Sequence, residues 1–133
     1  MQGSSHTAGI SDTIAALSTP AGVGGVGVIR LSGPRAADIL TQCFRPAGGG
    51  KLEDHPPRQM VYGRLLDREG QTIDRCLAFY PAGTASFTGE ITGELHCHGS
   101  PMVLALALET LFALGCRLAG PGEYTQRAFL NGK

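Results

Sequence analysis

The chain has no tryptophan, and aromatic residues make up only 6% of it. A protein that holds single-stranded nucleic acid by stacking bases on rings needs more of them. It also lacks an excess of charge of either sign, since eleven basic side chains face eleven acidic ones. A domain that coats nucleic acid draws most of its affinity from a positive surplus, and here there is none. No CxxC pair occurs among Cys43, Cys76, Cys97 and Cys116. A disulfide framework is weakly supported: four cysteines allow three pairings, and a chain of this size folds without one. The longest apolar stretch, Met102 to Leu114, is 13 residues, contains Glu109 and is too short to cross a bilayer. The start, Met1 to Thr7, has neither a basic segment nor an apolar one of the kind that directs secretion. These absences predict a soluble, cytoplasmic protein with no membrane partner, preceded by a disordered leader over residues 1–11.

What is present is material for one domain. At 133 residues, 42% of them hydrophobic and 17% charged, the chain can bury about two thirds of its unfolded surface and is not a disordered sequence. Its 20 glycines cluster without a Gly-X-Y period, which excludes collagen. Strands are predicted over Thr13–Ser18 and Val26–Leu31, the second with Val26, Val28 and Arg30 on one face and Ile29 and Leu31 on the other. Ala36, Ala37, Ile39, Leu40 and Phe44 recur at helical spacing after Pro34, in a helix that must end before Pro46. Ala47 to Pro57 reads as a loop. Gln59–Leu66 and Thr72–Tyr80 read as strands joined around Asp67-Arg68-Glu69-Gly70. Glu94–His98 alternates as a half-buried strand does. Ser100 and Gly115 bracket the strongest helix, Pro101 to Leu114. A short strand over Cys116–Ala119 and a helix over Glu123–Leu130 complete the chain. This mixture of a hairpin with irregularly alternating strands and helices predicts an α+β fold.

Four features invite a chemical reading. Gly22, Gly24 and Gly27 spell GxGxxG, but a β-run follows them where dinucleotide binding needs a helix N-terminus. A tight backbone crossing or a close approach fits better. Glu94, His96 and His98 share one face of a strand, so they either ligate a metal or form hydrogen-bonded structural histidines. Glu123 and Arg127, at i and i+4, have the spacing of a solvated surface pair. Arg30 stands in an otherwise apolar run and must find a carboxylate, a ligand or the strand's open end. The 101–114 helix is apolar nearly all round, which predicts burial over most of its surface by core packing or a dimer interface.

Four stretches together resemble the N-terminal domain of the tRNA-modification GTPase family called MnmE or TrmE. They are Asp12–Ala16 with Thr19–Gly22; Gly24–Gly33; Ser86-Phe87-Thr88-Gly89-Glu90 with Glu94–Gly99; and Pro121–Lys133. The resemblance covers the chain from Asp12 on, in the family's order, and departs from it at Val23, often basic in the family, and Ile91, usually acidic. It implies that residues 12–133 are a folate-binding domain like that of the glycine-cleavage T-protein, a mixed sheet packed with two or three helices, which pairs with itself as a homodimer. The implied ligand is a tetrahydrofolate derivative, 5-formyl- or methylene-tetrahydrofolate. Full-length members add helical and GTPase domains, absent from this chain, that use GTP, Mg2+ and K+. They act with the flavoprotein MnmG on the wobble uridine of tRNA. By the same resemblance, Glu94 (or else Glu90) receives the two adjacent donors of a pterin edge, and Arg30 the anionic glutamate tail. Phe87 and Thr88 touch the ring system, Gly89 allows close backbone approach, and Glu123 and Arg127 line or brace the site. No catalytic or metal residue is assigned to the fragment itself. Three rivals stand beside this reading: a dimerisation module without ligand, a metal-dependent hydrolase using His96, His98 and Glu94, and a free-standing aminomethyltransferase.

Overall fold

The alternation of apolar and polar side chains along the strands builds one sheet with a covered face and an open one. A computed structural model describes residues 12–18, 25–82 and 91–132. In chain order the elements are β1 (Ile14–Leu17), β2 (Val26–Ser32), α1 (Ala36–Cys43), β3 (Phe44–Pro46), a 3-10 turn (Leu52–Asp54), β4 (Met60–Leu66), β5 (Thr72–Ala82), β6 (Thr92–His98), α2 (Pro101–Leu114), β7 (Arg117–Leu118) and α3 (Glu123–Leu130). The seven strands form a single sheet in the order β3-β4-β5-β6-β2-β1-β7. All neighbours are antiparallel except β1 and β7, so the sheet is mixed and the fold is α+β.

Ile29, Leu31, Leu65, Ala78 and Leu95 are fully buried and point toward α1 and α2, which contribute Ile39, Leu40, Leu104 and Leu111 to the same core. Burying each of the larger side chains contributes about 1.5–3 kcal/mol. Val26, Val28 and Arg30 take the other face of β2, as the alternation predicts. Ser100 caps α2, its hydroxyl accepting from the Val103 N–H at 3.5 Å, and Gly115 ends the helix at φ 122°. Gly27 has a packing reason to lack a side chain: a Cβ there would stand 2.6 Å from Leu104 of α2. The third glycine of GxGxxG therefore admits a helix against a strand, while Gly22 and Gly24 lie outside the described residues.

The structure departs from the sequence-based expectation in three places. The first helix stops at Cys43, and Phe44 begins a strand because its fully buried ring and its pairing with Leu65 hold it there. The loop after Pro46 contains the 3-10 turn, which buries Leu52 in the core. Helix α2 is not buried over most of its surface: Met102 is 73% exposed, with Leu106 and Phe112 also open. Its hydrophobicity exceeds what one sheet face and α1 can cover.

On β4, Gly63 lies opposite Pro46, and a methyl group added to it would overlap the Arg45 carbonyl oxygen and the Phe44 ring. Gly63→Ala should therefore cost about 1–3 kcal/mol in a urea or thermal unfolding measurement. Gly48→Ala, in open space, should leave stability within the experimental scatter.

Candidate functional site

The open face of the sheet carries one concentrated set of polar groups, built by the pairing of β2 with β6. Arg30 lies directly opposite Glu94, and Val28 opposite His96. Side chains alternate along a strand, so Glu94 and His96 rise on the same side as Arg30. The Arg30 Nε and Nη2 groups each stand 3.2 Å from Glu94 Oε2. The other carboxylate oxygen, Oε1, is 2.8 Å from His96 Nε2. Both oxygens are thus engaged from within the chain, Oε2 by two guanidinium nitrogens and Oε1 by one ring nitrogen, which leaves Oε1 the more open to an outside donor. The Arg30, Glu94 and His96 side chains are 29%, 17% and 25% exposed, shielded enough to strengthen their attraction and open enough to meet a ligand.

Neighbouring rings frame this trio. Phe79 of β5 meets the His96 ring edge-on, with centroids 5.8 Å apart at 89°. From α3, the Tyr124 hydroxyl donates to the Arg30 carbonyl at 2.5 Å, and its ring lies 5.8 Å from the Arg30 guanidinium. Burial pushes the Tyr124 phenol well above its ordinary range, which keeps it protonated and donating. Beside His96 opens a shallow cavity of about 300 Å³, walled by Val26, Tyr62, Arg75, Leu77 and His98 among others. Its size is at the lower end of small-molecule pockets.

Glu123 and Arg127 sit elsewhere, and not as the solvated pair their spacing suggests. Arg127 is 1% exposed. Helix α3 starts from Gly122 at φ 69° and lays Arg127 against the chain just before β1. There Arg127 Nη1 donates to the Asp12 carbonyl at 2.9 Å, and Nη2 to Asp12 Oδ1 at 2.8 Å and Glu123 Oε2 at 3.1 Å. Arg117 closes the ring of charges, 2.7 Å from Asp12 and 2.6 Å from Glu123. Two cations alternate with two carboxylates, fixing α3 to β1 and β7 and so placing Tyr124 beneath Arg30. The Arg117 hydrogen bonds hold both carboxyls below their ordinary range, against the opposing effect of burial.

Phe87, Thr88, Gly89 and Glu90 lie outside the described residues, as does Val23. Ile91 is described: its side chain packs on the hydrophobic core and its carbonyl accepts from the Gly33 N–H at 2.8 Å. The three residues of the metal-hydrolase reading are not brought together. His96 turns to Glu94, whereas His98 Nδ1 is 2.7 Å from Asp74 Oδ1, with the His98 N–H on Oδ2 at 2.9 Å. Asp74 was not among the sequence candidates, although it precedes the inward-facing Cys76 and Ala78 by two and four residues. A carboxylate in phase with core positions is the signal that marks it.

The chain matches, over residues 13–133, the family model described as "GTP-binding protein TrmE N-terminus". The tRNA modification GTPase MnmE of Roseiflexus sp. (strain RS-1) is 47% identical over 122 residues, covering 92% of this chain and 26% of that protein. The enzyme of the same name from Chloroflexus aurantiacus is 48% identical over 124 residues, 93% of this chain and 27% of the relative. That from Parabacteroides distasonis is 47% identical over 122 residues, 91% of this chain and 26% of the relative. The chain thus spans roughly a quarter of the length of these curated relatives.

The buried Arg127 yields a stability test with a pH arm. Arg127→Ala should cost about 3–5 kcal/mol in urea unfolding, the range for breaking a buried ion pair. Asp12 and Glu123 titrate lower in the folded chain than their ordinary 3.8 and 4.5. Their contribution is therefore complete above those values and is lost as pH falls through the depressed ones. Unfolding free energy measured from pH 7 down to pH 2 should drop on the acid side, with a shallower drop in Arg117→Ala.

Proposed function

The chain belongs to the family of TrmE (MnmE) N-terminal domains, and from that premise we propose that it is the tetrahydrofolate-binding and homodimerisation part of a tRNA-modification GTPase. The observation that carries the reading is the Glu94 carboxylate on an open sheet face, held from two sides by Arg30 and His96. A reduced pterin offers an exocyclic amine and a ring N–H side by side, and a fixed carboxylate is the acceptor that such a pair of donors calls for. Arg30 holds that carboxylate in orientation. The pterin edge and the glutamate tail are opposite ends of a folate, and Arg30 touches Glu94, so Arg30 serves the pterin end rather than the tail. By the family resemblance Phe87, Thr88, Gly89 and Glu90 take part in ligand binding, while Glu123 and Arg127 brace the site through α3 and Tyr124.

The bound folate, as the 5-formyl or methylene form, supplies a one-carbon unit, and the chain's own residues bind and orient it. Exposed Met102, Leu106 and Phe112 on α2, together with Val26, Tyr62 and Leu77 on the open sheet face, favour a homodimer that covers apolar surface. In the full-length protein this domain works beside the GTPase domain with its GTP, Mg2+ and K+. A flavoprotein of the MnmG type and the wobble uridine of tRNA are its partners in the cytoplasm.

Calorimetric titration of 5-formyltetrahydrofolate tests the reading, with light scattering to follow the dimer. Removing the acceptor leaves two pterin donors unmatched at about 1–3 kcal/mol, so Glu94→Ala should weaken binding by roughly 5- to 150-fold. Equal affinities would remove Glu94 from the site. A dimer that takes up no folate would leave the ligand-free dimerisation module as the better reading.

A further inference from the structure

We propose that Asp74, Cys76 and Cys97 form a binding site for a thiophilic divalent cation, zinc foremost, on the helix-covered face of the sheet. Their ligand atoms, one carboxylate oxygen and two sulfurs, all lie within 4.8 Å of one another. The strand register explains the meeting. Leu77 pairs with His96 across antiparallel β5 and β6, so Cys76 and Cys97 stand opposite each other one step along. Asp74, two residues before Cys76, rises on the same face. On the flanking strands this row continues into Gly63 and Gly27, whose side-chain space is taken by the Phe44 ring and by Leu104.

Burial makes the grouping informative. Cys76 and Cys97 are 4% and 2% exposed, and the Asp74 side chain is 9% exposed. The Asp74 carboxylate is buried beside the two thiols and held by His98, whose backbone N–H meets Oδ2 and whose ring nitrogen meets Oδ1. The His98 ring meets Asp74 Oδ1 but is itself 71% exposed. It therefore sits at the rim, where it fixes the carboxylate's orientation as partners of metal-bound carboxylates do, and it marks the path of entry. The hydrogen bond with Cys97, and burial after it, push the Cys76 thiol up. Binding forms two metal–sulfur bonds and one metal–oxygen bond and releases two thiol protons to solvent. Tetrahedral zinc at ordinary bond lengths needs its ligand atoms about 3.5–3.8 Å apart, inside the 4.8 Å limit that the three atoms keep. Two sulfurs select zinc, or cobalt as its spectroscopic substitute, over the oxygen-seeking magnesium and calcium. The three ligands are distinct from Arg30, Glu94 and His96, because residues 94 and 96 alternate with 95 and 97 along β6, although Cys76, Cys97 and His98 also border the cavity beside His96.

The test titrates Co2+ into the full chain kept reduced with a phosphine, then displaces it with Zn2+. The expected result is about one equivalent bound, thiolate-to-cobalt charge-transfer absorption, and protection of Cys76 and Cys97 from alkylation by added zinc. Cys76→Ser and Asp74→Asn should each weaken uptake at least tenfold, His98→Gln by roughly 10- to 100-fold, and Cys116→Ser should not change it. No saturable uptake by the wild-type chain, uptake without charge-transfer absorption, or unchanged uptake in Cys76→Ser would overturn the proposal. If Cys76→Ser fails to fold, the wild-type absorption and alkylation results decide alone. Recovery of a Cys76–Cys97 disulfide from a wild-type chain that takes up no metal would also overturn it.

Discussion

The antiparallel register of β2 against β6 is the constraint on which the rest of the molecule depends. Seven residue pairs, from Val26–His98 to Ser32–Thr92, fix it near the middle of the sheet. A strand's side chains alternate with period two, so a one-residue slip of β2 against β6 would turn Ile29 and Leu31 outward and bring Arg30 into the core. The cost of that inversion, two large apolar side chains exposed and a charge buried, selects the observed register. One pairing thus places the core beneath α1 and α2 and the charged trio on the opposite face.

A second set of charges secures the edge of the sheet. Asp12, Arg117, Glu123 and Arg127 join the start of β1, strand β7 and helix α3. Strand β7 is two exposed residues long, and Phe129 and Leu130 on α3 face outward. Without the buried Arg127 the hold on α3 weakens, and with it the support Tyr124 gives to Arg30. The sequence places Glu123 and Arg127 within reach of each other. Only the fold brings in Asp12, 115 residues away from Arg127, and turns a helical pair into an anchor.

What was legible in the sequence follows from how local each signal is. Helix α2 is bounded by Ser100 and Gly115, and the β4–β5 hairpin by Asp67 and Gly70, because caps and turns are written within a few residues. The two faces of β2 are legible for the same reason. The pairing of Arg30 with Glu94 is not local, and neither is the separation of His98 from His96 by Asp74. Both depend on which strands lie side by side. Phe44 shows a tertiary preference winning over helical spacing, since its buried ring serves the core better from β3. For α2, composition overstated burial: Leu104, Ala107 and Leu111 face the core, while Met102 and Leu106 belong to a surface that the described residues leave open.

The proposed function puts the folate on the open sheet face, at Glu94, and not on the helix-covered one. Amide chemical-shift mapping of the isotope-labelled chain with 5-formyltetrahydrofolate addresses it most directly. The account predicts saturable shifts at Val28 to Leu31, at Glu94 to His96 and at Tyr124, with Ala36 to Cys43 of α1 unmoved. Shifts confined to α1, or none at any ligand concentration, would contradict it.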